Sequence, residues 1–302
     1  MDRILAVLPV YNRKKASLNC LSQLDELDKE GYKLDIFVID DGSNDGTSDA
    51  IKSDYPDAVV IRGSGDLWWG GAVNIGFQYA LKHAHDFVYL LNDDIDIMPH
   101  ETLLNLYMTL KDNRNAVCSS VFLKENDQIF FAGYRIEGRL KKMINQLRGI
   151  NIHLRPSELI EADSLSSRSV LVPTDIIRHV GLFDTKHFPH NYSDTDYFVR
   201  VKKQGYSLIV NLNSRIYSGG SDTNYHSLIS NKDIKEIIKS FFHVKYGNNI
   251  KKTYYSSILG ESALMGHFLF VRKMAGYTAW LILRLILTKN KLQMLLRSTG
   301  RV

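Results

Sequence analysis

The sequence predicts a doubly wound α/β sheet, on two observations. Short runs rich in Val, Ile and Leu end in turn-formers, and segments with helical apolar spacing alternate with them. Ile4 to Val10 and Leu34 to Ile39 are continuous apolar runs, the signature of parallel strands covered on both faces. Between them, Lys14 to Glu30 sets Ala16, Leu18, Leu21, Leu24 and Leu27 at helical spacing. The unit repeats through a strand at Ala58 to Arg62, a Gly-rich segment and helix over Gly63 to His83, and a strand at Phe87 to Leu91. A second half, about Glu101 to Asn224, carries a helix at Thr102 to Leu110. Its strands are expected at Ala116 to Leu123, Ile129 to Tyr134, Ser169 to Pro173 and Ser207 to Asn211. No repeat or linker interrupts the chain, so residues 1–225 are expected to share one sheet, as halves 1–100 and 101–225.

Composition narrows the class. The 302 residues suffice for one large domain or two intimate ones. With 44% hydrophobic residues, 24% charged residues and 6 prolines, disordered, collagen-like and disulfide-scaffold proteins are excluded. Cys20 and Cys118 lack the spacing of a zinc or redox motif, which suits a reducing cytoplasm. Met1-Asp2-Arg3 runs straight into a short apolar stretch without an export leader, so a cytoplasmic location is expected.

The net charge of +5 is unevenly spread. From Phe241 onward ten Lys and Arg face Glu261 alone, which leaves the first 240 residues at −4. Residues 226–302 are therefore expected to form a basic, amphipathic helical region that meets an anionic surface. Lys273 to Leu287 is apolar around Arg284 but shorter than the ~20 residues of a spanning helix, so it should lie in a membrane interface with Tyr277 and Trp280 at headgroup level. A helix packed on the catalytic body, or on a second copy in a homodimer, is the alternative.

Ligands of such sheets bind beyond the carboxyl ends of the strands. There the chain has Pro9-Val10-Tyr11-Asn12-Arg13, then Asp40-Asp41-Gly42-Ser43, then Asn92-Asp93-Asp94. Carboxylates at the end of the Phe87 to Leu91 strand suit a hard divalent ion, Mg²⁺ or Mn²⁺, that grips a diphosphate; an Asx-turn before Pro99 would use the same residues. Asp40 and Asp41 can accept hydrogen bonds from a ribose or pyrimidine, and Asp45 to Thr47 can cap the next helix. No P-loop or dinucleotide fingerprint occurs, which points away from ATPases and nicotinamide enzymes. Further on, a helix starting at Asp194 would set Asp196 and Arg200 four residues apart on one face and leave Asp194 free as a general base. Acids answering a helix dipole are the plainer explanation. Trp69 can stack on a sugar or fill the core, and Arg168 can bind phosphate or pair at the surface.

The ordered set of Pro9 to Arg13, Asp40 to Ser43 with Asp45-Gly46-Thr47, Asn74-Ile75-Gly76, Asn92 to Asp94, Gly181-Leu182-Phe183-Asp184, and Asp194-x-Asp196 with Arg200 resembles the family 2 glycosyltransferases over about residues 4–220. Leu67-Trp68-Trp69-Gly70-Gly71-Ala72-Val73-Asn74 is similar to the rhamnosyltransferase-like branch that serves bacterial surface polysaccharides. The resemblance implies a GT-A fold, with residues 1–100 as the nucleotide-sugar half and 101–225 as the acceptor half. It also implies a nucleoside-diphosphate sugar donor (dTDP-rhamnose or a UDP-hexose), a Mg²⁺ or Mn²⁺ ion, and inversion at the anomeric carbon. The acceptor would be a glycan or polyprenyl-linked saccharide at the cytoplasmic face of the inner membrane, and no nucleic acid is expected.

By the same resemblance Pro9, Tyr11, Asn12, Arg13, Asp41, Asn74 and Asp93 belong to the nucleotide-sugar site, which Trp69 by stacking and Arg168 by phosphate binding would join. Asp94, with Asp93, holds the metal, and Asp194 is the general base supported by Asp196, Arg200 and His190. Two positions depart from the family pattern. Ser193 stands where an acid usually precedes the base, and Tyr217-Ser218-Gly219-Gly220 lacks the usual metal-proximal histidine, for which His226 is the candidate replacement. A sugar-phosphate nucleotidyltransferase and a non-catalytic, membrane-associated sugar-binding module are the competing functions.

Overall fold

The computed structural model describes residues 1–97, 100–138, 142–155, 159–218, 233–258, 261–287, 290–292 and 294. In chain order the first unit contains β1 (Asp2–Val10), α1 (Lys14–Asp25), β2 (Tyr32–Asp40), α2 (Thr47–Asp54), β3 (Val59–Arg62), α3 (Trp68–Lys82), β4 (Phe87–Leu91), β5 (Ile95–Ile97) and α4 (Thr102–Leu110). It continues with β6 (Ala116–Leu123), β7 (Ile129–Phe131), β8 (Tyr134–Glu137), β9 (Lys142–Asn145), β10 (Leu159–Glu161), β11 (Ser169–Pro173), α5 (Thr174–Val180), α6 (Ser193–Lys203) and β12 (Ser207–Ser218). The main sheet runs β10-β12-β6-β11-β4-β1-β2-β3, with β5 on β12 and β7 on β6. Strands β4, β1, β2 and β3 are mutually parallel, whereas β11 is antiparallel to both β4 and β6, so the sheet is mixed.

The continuous apolar strands feed two cores. In β4, Val88 and Leu90 join one core with Ala72, Val73 and Phe77 of α3, while Phe87, Tyr89 and Leu91 join the other with Cys20, Leu21 and Leu24 of α1 and Leu103 and Leu106 of α4. Successive side chains of a strand point to opposite faces, so a strand buried on both sides must be apolar throughout. Gly76 lets α3 lie against β1: a Cβ there would sit 2.5 Å from Val7 Cγ1.

The strand at Ile129 to Tyr134 proves to be β7 alone, with β8 turning away into a two-stranded hairpin with β9 after Gly133 (φ +81°). Strand β12 outlasts its expected end at Asn211 because it shifts register between Asn211 and Arg215 and then pairs with β5.

The second compact unit comprises Thr185–Ser193 and Gly220–Val302, so nine residues ahead of Asp194 group with the C-terminal helices. Those helices are α7 (Ile234–Ser240), α8 (Ile250–Ile258) and α9 (Ala263–Ile286). Among the described residues no helix is long and apolar enough to cross a membrane. Tyr277 and Trp280 do not occupy the outer face: both pack with Ile237, and the exposed apolar residues of α9 are Leu264, Phe268, Val271, Ile282, Leu285 and Ile286.

Candidate active site

Strand β1 ends in a loop tied to the loop after β2. Asn12, at φ +51°, donates its N–H to Ser43 Oγ at 2.8 Å and accepts the N–H of Asn44 on Oδ1 at 2.9 Å. Asp40 is fully buried and accepts the Ser43 N–H and the Ser48 hydroxyl. Asp41, expected at a nucleoside, engages backbone here. Its Oδ1 accepts the N–H groups of Gly65 (2.8 Å) and Leu67 (3.3 Å), and its Oδ2 accepts that of Trp68 (3.1 Å), so the carboxylate clamps the turn into α3. Trp68 is thereby held at φ +55°, a conformation that costs a non-glycine residue roughly 1–2 kcal/mol.

Pro9 lies within β1, paired with Ile39, and Tyr11 is exposed beyond its end. Asn74 turns both ends of its amide to Phe183, donating to the carbonyl at 3.0 Å and accepting the N–H at 2.8 Å, and so fastens α3 to the segment before α6. Trp69 donates its indole N–H to Asn92 Oδ1 at 3.1 Å and meets the Phe183 ring edge-on. It thus steadies the first residue of the acidic motif.

At the end of β4 the two acids part company. Asp93 is buried and accepts from Arg13 Nη1 (3.0 Å) and Ser17 Oγ (3.2 Å); burial pushes its carboxyl above the ordinary value against the pull of Arg13. The same Arg13 Nη1 lies 3.2 Å from Asp94 Oδ2, so Arg13 bridges both carboxylates. Asp94 Oδ1, however, is buried with no hydrogen-bond partner. A buried carboxylate oxygen without a donor is costly. A divalent ion completed by donor phosphates would satisfy it, since Mg²⁺ needs only one or two carboxylates beside its phosphates. The residues present therefore fit such an ion, with Asp94 as its ligand. Among the described residues no group of three or more His, Cys, Asp or Glu gathers as a metal site, at this edge or elsewhere, so an ion here would take most of its ligands from the donor phosphates and water. His226 lies outside the described residues.

The antiparallel run of β11 links this edge to Asp194, the expected base. Leu91 pairs with Ser169, and Asn92 then donates its N–H to the Arg168 carbonyl at 3.3 Å. Ser167, one residue earlier, hydrogen-bonds Asp194 through its backbone. Asp194 also accepts the Thr195 N–H at 2.7 Å. Burial pushes its carboxyl up, opposed by those two N–H groups and by the charge of Arg168.

Asp196 is buried, and its Oδ2 takes Arg200 Nε at 2.9 Å, the expected spacing of four. Arg200 also donates to the Val180 and Leu182 carbonyls at 3.2 and 2.9 Å, which locks the helix start onto the segment after α5. His190 belongs to the other unit, where burial and the charges of Lys245 and His243 push its imidazole down toward the neutral form.

Sequence reasoning missed four participants. Ser17 stands on the buried face of α1 four residues after Arg13, a polar residue at an apolar position that could have been noticed. Tyr134 is within electrostatic reach of Asp194, Arg148 and Arg168, and Arg148 also covers the Phe130 ring at 5.5 Å. Nothing local distinguishes Tyr134, Arg148 or Ser167, because the fold alone brings their segments near α6.

A family model, "Glycosyl transferase family 2", matches residues 5–160. Poly(ribitol-phosphate) beta-glucosyltransferase of Bacillus spizizenii strain W23 is 25% identical over 236 residues, 69% of this chain and 34% of that protein. Undecaprenyl-phosphate mannosyltransferase of Micrococcus luteus is 28% identical over 102 residues, 33% of this chain and 41% of that protein. The chain thus spans well under half the length of either relative.

Among solved structures, GalNAc-T7 with UDP, GalNAc and Mn²⁺ aligns with a TM-score of 0.59 at 13% identity, over 85% of this chain and 50% of that one. The mannosyltransferase PcManGT of Pyrobaculum calidifontis, with GDP-Man and Mn²⁺, gives 0.55 at 15% identity, over 94% and 86%. S. aureus TarS gives 0.51 at 16% identity, over 85% and 42%. At such identities the likeness is one of fold, the GT-A arrangement of a mixed sheet flanked by helices. With its family model spanning more than half of the sequence, the chain belongs to glycosyl transferase family 2.

Proposed function

We propose that the protein is an inverting, metal-dependent glycosyltransferase that carries a sugar from a nucleoside diphosphate to a hydroxyl of a glycan or lipid-linked acceptor. The observation that carries this reading is the division of labour at one strand edge: Asp94 keeps a buried oxygen without a protein donor, while Asp194 is a desolvated carboxylate joined to that edge through Ser167 and Arg168. Asp194 in its ionised form takes the proton of the acceptor hydroxyl. The acceptor oxygen bonds to the anomeric carbon as the bond to the diphosphate oxygen breaks, and the nucleoside diphosphate leaves with that electron pair. Inversion follows from single displacement. When bound at Asp94, with Asp93 behind it, Mg²⁺ or Mn²⁺ supplies the positive charge that stabilises the leaving diphosphate. Arg13 and Ser17 hold the acidic motif in register, and Asp196 with Arg200 fixes the helix that presents the base.

A dTDP-rhamnose or UDP-hexose donor and a role in bacterial surface polysaccharide synthesis fit the Leu67 to Asn74 stretch. The names of both curated relatives carry a phosphate-bearing acceptor. Arg148 and Arg168, close to Tyr134 and Asp194, suit an acceptor of that charge. The basic C-terminal residues and the exposed apolar face of α9 suit the inner face of a membrane. The decisive experiment incubates the chain with a panel of nucleotide sugars and Mn²⁺ or Mg²⁺. Slow, chelator-sensitive release of nucleoside diphosphate supports the reading. Pyrophosphate formed from a nucleoside triphosphate and a sugar 1-phosphate would replace it with a nucleotidyltransferase.

A further inference from the structure

The nine residues ahead of Asp194, Thr185–Ser193, group with the C-terminal helices, and this strap is tied to them at both ends. At its start Lys251 of α8 donates its ammonium to the Lys186 carbonyl at 3.3 Å, and the Tyr255 ring of the same helix lies 4.0 Å from that of His187. Near its end Asn191 Nδ2 donates to the carbonyls of Val244 and Lys245, between α7 and α8, at 3.3 and 2.5 Å. Tyr192 follows, its ring 5.2 Å from that of Phe188 and 5.6 Å from the Lys252 ammonium.

Tyr192 stands at φ +75°, a left-handed conformation that a side chain keeps only where its surroundings dictate it. Ser193 Oγ then donates to the His190 carbonyl at 2.8 Å, which closes a tight loop around Asn191 and Tyr192 at the residue where α6 begins. Asp194 comes next, so a single peptide bond joins the closed loop to the residue that carries the carboxylate. The body of α6 is secured separately, by Arg200 on Asp196 and on the Val180 and Leu182 carbonyls. The anchored amide and the strained tyrosine therefore act on the first turn of α6, where Asp194 sits. A displacement of about 1 Å in a catalytic group can cost on the order of 10²-fold in rate.

We infer that Asn191, with Tyr192, is a positioning residue for Asp194: its amide anchors the strap to the C-terminal helices, and the closed loop passes that anchorage to the base. This role rests on the reading of Asp194 as the general base.

Steady-state rates of the full chain test it with the nucleotide sugar that the donor panel selects, Mn²⁺, and water as the acceptor hydroxyl. Asn191→Ala should lower kcat about 10- to 100-fold. Its donor KM should stay within about twofold of the parent's, as expected when ground-state donor binding is untouched, and its melting temperature near the parent's. Tyr192→Gly, at a φ that glycine adopts freely, should show the same split and carries the comparison should Asn191→Ala not fold. In an Asp194→Asn background neither substitution should lower the residual rate further, because residues that act through one group are not additive. A parent-like kcat in both variants, a loss confined to donor KM, or a full additional loss on top of Asp194→Asn overturns the inference. Failure of the base itself looks different: Asp194→Asn then turns over normally, and the role of Asn191 falls with it.

Discussion

The two edges of the parallel strands β1, β2 and β4 are built from the same residue types and do opposite things. At the edge where these strands begin, Asp2, Asp35 and Asp86 each meet a cation. Asp35 takes Arg3 at 2.7 Å, Lys33 at 3.0 Å and the buried His85 at 3.1 Å, and Arg114 joins Asp2 at 2.8 Å and Asp86 at 3.4 Å. Against the opposing push of burial, hydrogen bonds from Lys33, Arg3 and His85 hold the Asp35 carboxyl below its ordinary value. Where the strands end, burial wins: Asp93 and Asp194 are pushed up, and Asp94 keeps an oxygen without a donor. At the first edge the cations and acids match within the fold, whereas at the second one Arg13 is shared by Asp93 and Asp94 and one Asp94 oxygen is left open to completion by a ligand.

The contrast is sharpest at Asp194, the proposed base. Asp194→Asn should lower kcat by roughly 10²–10⁴-fold while donor binding and the melting temperature stay near those of the parent. Steady-state rates with donor titration measure this, and near-normal turnover would remove Asp194 from the chemistry. Since only the ionised carboxylate accepts a proton, activity should fall as pH drops through a value raised above the ordinary ~3.9. That acid limb should be missing from the residual activity of Asp194→Asn.

Next in size, Asp94→Asn should cost on the order of a hundredfold in rate and abolish the response to added Mn²⁺, read as nucleotide release against metal concentration. Retained metal activation would place the ion on other residues. Asp41→Asn should lose about 1–3 kcal/mol of stability, because an amide cannot accept all three N–H groups of the turn into α3. Denaturant melts read the loss, and donor affinity should drop with it as the turn relaxes.

The smallest effect belongs to the opposite edge. Asp35→Asn should cost about 1 kcal/mol, screened as partly exposed pairs are, and leave kcat unchanged. Because the folded state holds this carboxyl low, its contribution is full above the ordinary ~3.9 and fades as pH falls through the lowered value. The Asn variant should lack that component, and a matching loss of activity would break the distinction between the two edges.

Much of the site was legible because its residues follow strands directly. A continuous apolar run announces where the sheet edge is, and the polar residues after it must lie there, so Asn12, Arg13, Asp41 and Asp94 could be placed by position alone. Their partners could not be read in the same way. Arg13, expected at a nucleoside, turned out to span Asp93 and Asp94, and Asp41 and Asn74 hold backbone rather than facing outward. Such choices depend on which N–H groups a neighbouring loop leaves unpaired. A buried hydroxyl chain likewise escaped notice: Tyr89, Ser169, Ser120 and Ser214 link four strands through oxygen contacts of 2.9, 2.6 and 2.7 Å. Ser120 and Ser169 lie in strands whose pattern reads as ordinary core, and Ser214 lies past the expected end of its strand.

Local periodicity, set by the bond geometry of helix and strand, was enough by itself to determine the strand-helix alternation of the first half, the bounds of α4, β6 and β11, and the pairing of Asp196 with Arg200. The tertiary structure decided what lies across segments: that antiparallel β11 carries Ser167 and Arg168 from the end of β4 to Asp194, and that Tyr277 and Trp280 turn inward onto Ile237. Such contacts join residues far apart in the chain, and their register follows from how whole faces pack, which no local repeat encodes.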